Sequence, residues 1–274
     1  MQYDPAVEPD RRAAPERPAA PPPHLPASAP LPRRLLAELL GSAMLAALVI
    51  GSGIAAQTLS PHDVGLELFE NATATAAGLA TIILIFGPVS GAHLNPVVSL
   101  ADAIFGGIRW RDLLTYMPAQ VAGCVLGAVA ANAMFALSAV TISTHHRASG
   151  SHLFAEVIAT SGLLLVIFSL ARTRRPGAAG AVGAYIGAAY FFTSSTSFAN
   201  PAITVGRMLS DTFAGIAPAS APGFIAAQLA GCACAVLVLK ALYPDIAPEQ
   251  AADVVLPHTN EPATDGVRSL RLPA

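Results

Sequence analysis

The sequence predicts an all-α membrane protein in which six transmembrane helices and two half-helices form an inverted repeat, with the half-helices meeting at the bilayer midplane. Three observations support this fold: long stretches almost without charge, two Asn-Pro motifs in short apolar segments, and two halves with the same motifs. Only 12% of the 274 residues are charged and 54% are hydrophobic, whereas soluble domains contain about 25% charged residues. The net charge of −2 and the lack of a basic patch indicate no nucleic-acid partner.

The two ends of the chain differ from the region between them. Residues 1–32 contain ten prolines, and such a segment cannot bury enough apolar surface to fold. We therefore expect a disordered Pro-rich cytoplasmic tail over residues 1–32, a membrane domain over residues 33–243 and a second disordered cytoplasmic tail over residues 244–274. No apolar segment precedes residue 35, so the first tail does not resemble a cleaved signal peptide.

Six stretches of the membrane domain are long and apolar enough to span a bilayer, which takes about 20 residues. Four of them carry no charge, and the other two carry one glutamate each, Glu38 and Glu156. The third and fifth are long enough to include loop as well. The stretches are residues 35–59, 72–88, 113–142, 153–171, 176–206 and 212–239.

The distribution of positive charge predicts the orientation. If both ends of the chain lie on one side, that side holds 13 of the 15 Lys and Arg residues, and the other side holds only Arg147 and Arg207. Cytoplasmic loops carry the excess of Lys and Arg in membrane proteins. We therefore expect a multi-pass protein of the cell inner (plasma) membrane, in contact with the lipid bilayer, with both termini cytoplasmic.

An internal repeat relates residues 33–142 to residues 151–243. Ala-Glu opens each half at Glu38 and Glu156, and Ala-Gln-x-Ala-Gly-Cys occurs late in each. Each half contains three spans, an odd number, so the second half enters the membrane upside down relative to the first. Transport proteins with such repeats place their site near the midplane, where the halves meet.

Each half also contains a helix start that cannot begin a full span. The motifs are Asn95-Pro96-Val97 and Asn200-Pro201-Ala202, and Asn as N-cap followed by Pro at the first helical position is a typical start. Inversion brings the two short helices in from opposite faces. Non-helical backbone at membrane depth is tolerated only where protein or a water-filled cavity covers it. We therefore expect the two N-termini to meet beside a pore, with Asn95 and Asn200 directed into it.

The paired Asn-Pro boxes, the Ser-Gly-Ala-His sequence that ends at His93, and the Ala-Glu pairs resemble the major intrinsic protein family, the aquaporins and aquaglyceroporins. The resemblance covers residues 33–243 and implies an aquaporin-like channel domain. It also implies that Glu38 and Glu156 are loop scaffold residues that accept hydrogen bonds from the half-helix loops. A proton relay remains an alternative, because buried carboxylates also mark proton-coupled carriers. His93 is expected either to line the pore or to be satisfied by loop carbonyls.

The sequence departs from the family pattern directly after the second box, where the family usually has Arg and this chain has Ile203. Offsets from the boxes place the remaining selectivity-filter positions at Thr75, Ala188 and Ser197, and one gap in a helix would shift the first two. This set contains no Arg, aromatic or His, which predicts a wide, weakly polar filter. Arg207 lies four residues after Ile203, and residues four apart share a helix face. Arg207 is therefore expected either to line the outer vestibule or to pair with Asp211.

The resemblance implies a passive channel for small neutral solutes and water, assembled as a homotetramer, with no cofactor, metal or catalytic residue. The residues around the second box resemble a bacterial branch associated with arsenic resistance, which implies polyols and undissociated metalloid hydroxides, such as arsenite or methylated arsenicals, as solutes. The alternatives are a proton-coupled secondary carrier, a strictly water-selective channel and a junctional protein without transport. His145 and His146 have no further partners in the sequence that would complete a metal site.

Overall fold

The computed structural model describes residues 29–173 and 177–244, which form eight α-helices. Five of them are long and apolar enough to cross a membrane. The helices are α1 (Leu31–Leu59), α2 (Val64–Ser90), α3 (Pro96–Phe105), α4 (Trp110–Met134), α5 (Gly150–Thr173), α6 (Ala178–Phe192), α7 (Pro201–Arg207) and α8 (Ala221–Leu242).

The observed helices agree with the predicted six spans and two half-helices, with two differences at the edges. The fifth predicted span, α6, has only 15 residues, or about 22 Å at 1.5 Å per residue. The chain leaves the helix at Thr193 to form the approach to the second Asn-Pro box. The predicted tail boundary is also wrong by two residues, because Leu31 and Pro32 already belong to α1. The rest of both predicted tails lies outside the described residues, apart from a few at their inner ends.

The half-helices begin as their sequence predicts. Asn95 caps α3 by accepting a hydrogen bond from the Val97 N–H at 3.0 Å, and Asn200 caps α7 by accepting one from the Ala202 N–H at 2.9 Å. In both helices the next residue is proline at the first helical position, where its missing N–H costs nothing. The local sequence alone therefore fixes where each short helix starts.

Glycines allow the long helices to approach one another closely. A Cβ atom at Gly127 of α4 would collide with the Ala43 carbonyl oxygen of α1, and one at Gly183 of α6 would collide with the Ala76 carbonyl oxygen of α2. Small residues at helix interfaces let backbones touch in membrane proteins. These contacts pair α1 with α4 and α2 with α6.

The bundle has two opposite faces. At one, called here the terminal face, Arg34 at the start of α1 forms an ion pair of 3.0 Å with Asp112 at the start of α4. At the other, called the loop face, the segments of residues 135–149 and 208–220 meet. There the Thr141 N–H donates to the Leu209 carbonyl at 3.0 Å. The two half-helices lie between these faces.

Candidate functional site

The two Asn-Pro boxes meet at the centre of the bundle and are tied to each other by a reciprocal pair of hydrogen bonds. The Asn95 Nδ2 donates to the Ala199 carbonyl and the Asn200 Nδ2 donates to the Leu94 carbonyl, both at 2.8 Å. Each amide group has two N–H donors, so one remains on each asparagine after this contact. Both side chains line a cavity, which places a spare donor from each half at the waist of that cavity.

The loops before the boxes share an unusual backbone conformation. Ala92 and Leu94 have φ of 46° and 51°, and Ser197 and Ala199 have φ of 51° and 47°. These residues stand three and one positions before Asn95 and Asn200. Left-handed conformations cost energy in non-glycine residues and persist only where surrounding contacts hold them. The repeat predicted from sequence therefore extends to the backbone angles of the site.

Glu38 supplies the contacts that hold the first loop. Its Oε1 accepts from the Ser90 hydroxyl at 2.6 Å and the His93 N–H at 3.0 Å, and its Oε2 accepts from the Leu94 N–H and the Gln120 Nε2, both at 2.7 Å. Four donors therefore saturate a carboxylate that is fully buried. Such pairing is what makes a buried charge tolerable.

Glu156 holds the second loop in the same way. It accepts from the Phe198 and Ala199 N–H groups at 2.8 Å each and from the Gln228 Nε2 at 2.7 Å. In each half the glutamine also donates to a hydroxyl on the half-helix, Ser99 at 2.9 Å and Thr204 at 3.1 Å. Sequence reasoning used the two Ala-Gln motifs only as markers of the repeat and missed their role. Their duplication was the signal.

The cavity between the helices contains about 670 Å³ of empty space, part of it open to solvent, and is lined mainly by apolar side chains. Six of the predicted pore residues lie in its wall: Thr75, His93, Asn95, Ser197, Asn200 and Ile203. Pro96, Val97, Pro201 and Ala202 are buried beside it in the first turns of the half-helices.

Arg207 lines the cavity, and the expected alternative of a pair with Asp211 is wrong. Its guanidinium carbon lies 3.4 Å above the centre of the Phe198 ring, and its Nε donates to the Ala214 carbonyl. Arg207 is only 2% exposed. Within residues 29–173 and 177–244, its two terminal nitrogens have no hydrogen-bond partner and are not sealed off from open space. Those donors are therefore available to the cavity.

Ala188 does not belong to the cavity, which corrects its predicted place in the filter. It is exposed on the outer surface of α6, whereas Ile186 and Tyr190 of the same helix line the cavity. The Tyr190 hydroxyl lies 3.4 Å from the Thr75 hydroxyl. The cavity wall also contains an arginine and two aromatic side chains, Arg207, Tyr190 and Phe198, which the four predicted filter positions lack.

His93 contributes to the cavity wall without exposing its ring, because its side chain is 0% exposed. Its Nδ1 lies 3.0 Å from the Ser99 hydroxyl and its Nε2 lies 3.5 Å from the Asp102 carboxylate. His93 thus belongs to the cavity wall, and at these two contacts its ring lies against side chains rather than loop carbonyls.

The loop face is held by polar contacts outside the spans. Arg147 donates to the Gly215 and Phe213 carbonyls at 2.7 and 2.8 Å. Asp211 accepts from the Thr144 N–H at 2.8 Å, and this hydrogen bond lowers the pKa of the Asp211 carboxyl. No group of three or more potential metal ligands occurs among the residues that the structure describes.

Comparison with known sequences shows extensive similarity to channel proteins. A family model described as "Major intrinsic protein" matches residues 27–198. The chain is 43% identical over 210 residues to an aquaglyceroporin, AqpS, of Rhizobium meliloti (strain 1021), which covers 77% of this chain and 90% of that protein. It is 29% identical over 150 residues to a glycerol uptake facilitator protein of Streptococcus pneumoniae, with 50% and 63% covered.

A solved structure is similar to the fold. The X-ray structure of the aquaglyceroporin from Plasmodium falciparum superposes with a TM-score of 0.61 over 79% of this chain and 97% of that chain, at 21% sequence identity. At this identity the likeness shows a shared fold.

Proposed function

The chain belongs to the major intrinsic protein family, whose members are membrane channels and not enzymes, and from this premise we propose that it is a passive channel for small neutral solutes and water. The solutes are polyols such as glycerol and undissociated metalloid hydroxides such as arsenite or methylated arsenicals. One observation carries the proposal: the position directly after the second box is Ile203, and the guanidinium of the cavity comes from Arg207, one turn farther along α7.

The position of this guanidinium determines which solutes fit. Arg207 follows Ile203 by four residues, which is about 6 Å along a helix. The cavity wall combines apolar side chains, Ile203 among them, with the hydroxyl-bearing residues Thr75, Tyr190 and Ser197. Hydroxyls can hydrogen-bond a polyol or a metalloid hydroxide, and the apolar wall accommodates the carbon backbone of a polyol. Arg207 offers donors to the same solute one turn away.

Ions are excluded at the waist by the half-helices. Each N-terminus carries the equivalent of about half a positive charge, and the caps place both N-termini beside Asn95 and Asn200. Facing positive helix ends repel cations and protons in such pores. The remaining amide N–H of each asparagine donates to the oxygen of a passing water and so orients that water. This orientation interrupts the chain of hydrogen-bonded waters along which a proton could move.

The protein works as a homotetramer in the inner membrane, with the terminal face in the cytoplasm. The asymmetry of 13 against two Lys and Arg residues supports this orientation. Numerous large apolar side chains on the outside of the helices support a lipid or subunit environment, among them Leu36, Phe69, Leu84, Leu114 and Phe154.

A strictly water-selective channel is a second candidate, because Arg207 and Tyr190 bring a guanidinium and an aromatic ring to the cavity. A proton-coupled carrier is less well supported. Every oxygen of Glu38 and Glu156 already accepts at least one hydrogen bond from the loops or from a scaffold glutamine.

Stopped-flow light scattering of proteoliposomes tests the proposal with gradients of water, glycerol and arsenous acid. We expect the native protein to accelerate all three over empty vesicles, without saturation and without a proton gradient. Arg207→Leu is expected to keep glycerol flux and to alter the ratio of water to glycerol. Arg111→Gln, at an arginine whose side chain is 72% exposed at the terminal face, serves as the control for loss of a charge. Acceleration of water alone would favour the second candidate.

A further inference from the structure

Two arginines share one aromatic ring at the loop-face end of the cavity. The guanidinium carbon of Arg207, from α7, lies 3.4 Å from the centre of the Phe198 ring. The guanidinium carbon of Arg147, from the segment of residues 135–149, lies 5.6 Å from the same centre. Arg207 and Phe198 both line the cavity. Two positive charges from distant parts of the chain therefore meet beside the cavity.

Neither arginine has a carboxylate partner within residues 29–173 and 177–244, because none of the ion pairs there includes them. Glu156 attracts both charges from a distance, but its oxygens accept hydrogen bonds from loop N–H groups and from a scaffold glutamine. Asp211, on the loop face, accepts from the N–H and the hydroxyl of Thr144 instead. Arginine stays protonated in proteins, so two positive charges remain unpaired at neutral pH.

Backbone carbonyls hold the two guanidiniums in place and leave several of their donors unused. Arg147 donates to the Phe213 carbonyl through Nη2 and to the Gly215 carbonyl through Nε. Arg207 donates through Nε to the Ala214 carbonyl, which lies between those two in sequence. In the described part of the chain, the Arg147 Nη1 and both terminal nitrogens of Arg207 have no hydrogen-bond partner and are not sealed off from open space. Arg207 is only 2% exposed, so its unused donors are available to the cavity.

Two such charges are costly without an anion beside them. Like charges repel, and the repulsion increases as protein replaces the water around them. Carbonyl groups satisfy N–H donors but carry no net charge, and a buried charge without an opposite charge is strongly unfavourable. A guanidinium presents its N–H groups in a planar fork that matches the oxygens of a carboxylate, a phosphate or a sulfate. The partner that fits both arginines is therefore a small anion with several oxygens.

We propose that Arg147 and Arg207 form a binding site for a small oxyanion at the loop-face end of the cavity, and that the bound anion blocks the passage of neutral solutes. Because Arg207 lines the cavity, an anion held there occupies space through which a solute passes and takes up the donors that face it. The mainly apolar wall farther along the cavity does not replace the hydration of an anion, so the anion stays beside the arginines. The blocking step rests on the proposed channel function, whereas the binding step does not.

Isothermal titration calorimetry tests the binding step with sodium sulfate and full-length protein in detergent, at neutral pH and constant ionic strength. We expect one saturable site per chain in the native protein. Arg147→Gln should weaken sulfate binding about tenfold or more, as expected for the loss of a charge-assisted hydrogen bond, and Arg207→Leu should abolish it. The control is Arg111→Gln, which removes the same charge from an exposed residue of the terminal face and should bind sulfate like the native protein.

Glycerol flux in proteoliposomes tests the blocking step, with chloride replaced by sulfate on both sides at equal ionic strength and osmolarity. We expect sulfate to lower the native flux, with half of the effect at the concentration that half-fills the site in calorimetry. This concentration does not depend on how much protein is folded, so a poorly folded variant does not imitate weaker binding. Arg147→Lys keeps the charge without the planar fork, and should need more sulfate than the native protein and less than Arg147→Gln.

The absence of saturable sulfate binding in the native protein would overturn the proposal. Equal binding by the native protein, Arg147→Gln and Arg207→Leu would also overturn it, because it would indicate an adventitious ion only. Sulfate that binds at the arginines but leaves glycerol flux unchanged would refute the blocking step. A native protein without glycerol flux would contradict the proposed channel function instead, and calorimetry would still decide whether the site exists.

Discussion

Glu38 and Glu156 have the same structural task at matched positions, and each receives its hydrogen bonds from the loop that precedes a half-helix. We predict that Glu38→Gln destabilises the protein by about 2–4 kcal/mol, because the new amide places its own donors against the Leu94 N–H and the Gln120 amide and leaves buried groups unsatisfied. Thermal unfolding in detergent measures this. Glu156→Gln should behave alike.

The control for these two variants is Lys240→Gln, which removes a charge from an exposed residue in the last turn of α8. Such surface changes are usually within about 0.5 kcal/mol. Equal stability of Glu38→Gln and Lys240→Gln would contradict the scaffold role.

Asp211 gives a prediction about pH at the loop face. The Thr144 N–H lowers the pKa of Asp211 below its ordinary value, so the folded carboxyl holds its proton less tightly than the unfolded one. Its contribution is therefore present above the unfolded pKa and is lost as the pH falls through the folded pKa. Amide exchange of Thr144 should accelerate in strong acid. In Asp211→Asn it should be fast at neutral pH as well; slow exchange there would refute the contact.

Single residues also show how far the sequence can be interpreted. The two asparagines, the two glutamates and Ser197 were found because they occur at fixed distances from duplicated motifs. Ala188 was placed by its offset from the second box, and that offset crosses the residues after Phe192, where α6 has ended and Thr196 and Ser197 are left-handed. The register therefore shifts, and Tyr190 reaches the cavity in place of Ala188. A local loop conformation of this kind leaves no periodic signal.

At the level of helices, close packing between α1 and α4 depends on glycine. We predict that Gly127→Ala destabilises the protein by about 1–3 kcal/mol or prevents its assembly, since the added methyl group meets the Ala43 backbone, which cannot move like a flexible side chain. The matched control is Gly180→Ala in α6, where nothing lies within 4 Å of the new Cβ. The same change there should be neutral or stabilise by about 0.5–1 kcal/mol.

Melting temperatures of the two variants in the same detergent provide the comparison, and similar values for both would show that the α1–α4 contact is loose.

Hydropathy predicted these helices because length and lack of charge are properties of a segment itself. The pairing of α1 with α4 and of α2 with α6 depends on how the surfaces of distant segments fit together. The spacing of small residues indicates that a helix packs closely against another one, but it does not indicate which one.

For the whole molecule, the inverted repeat brings two positive helix ends to one point. We predict that Asn200→Asp makes the channel leak protons or other cations, because a carboxylate there offsets the partial charges that repel them. A pH-sensitive dye inside vesicles under a potassium diffusion potential measures the leak. Asn95→Asp should have the same effect, and Asp63→Asn should have none. If vesicles with either box variant do not leak protons or other cations, this result would argue against the exclusion of cations by the half-helix ends.

The central claim is that the cavity is open at the position after the second box, because that residue is Ile203 and the guanidinium of the cavity belongs to Arg207. The glycerol permeability of Ile203→Arg relative to the native protein tests this claim. Each ~1.4 kcal/mol added to a barrier slows passage about tenfold. A guanidinium in the place of Ile203 narrows the cavity beside Thr75 and Ser197. We expect native vesicles to pass glycerol, and the variant to lose about tenfold or more of that flux while it keeps water flux. Equal glycerol flux in both, or none in the native protein, would contradict the account.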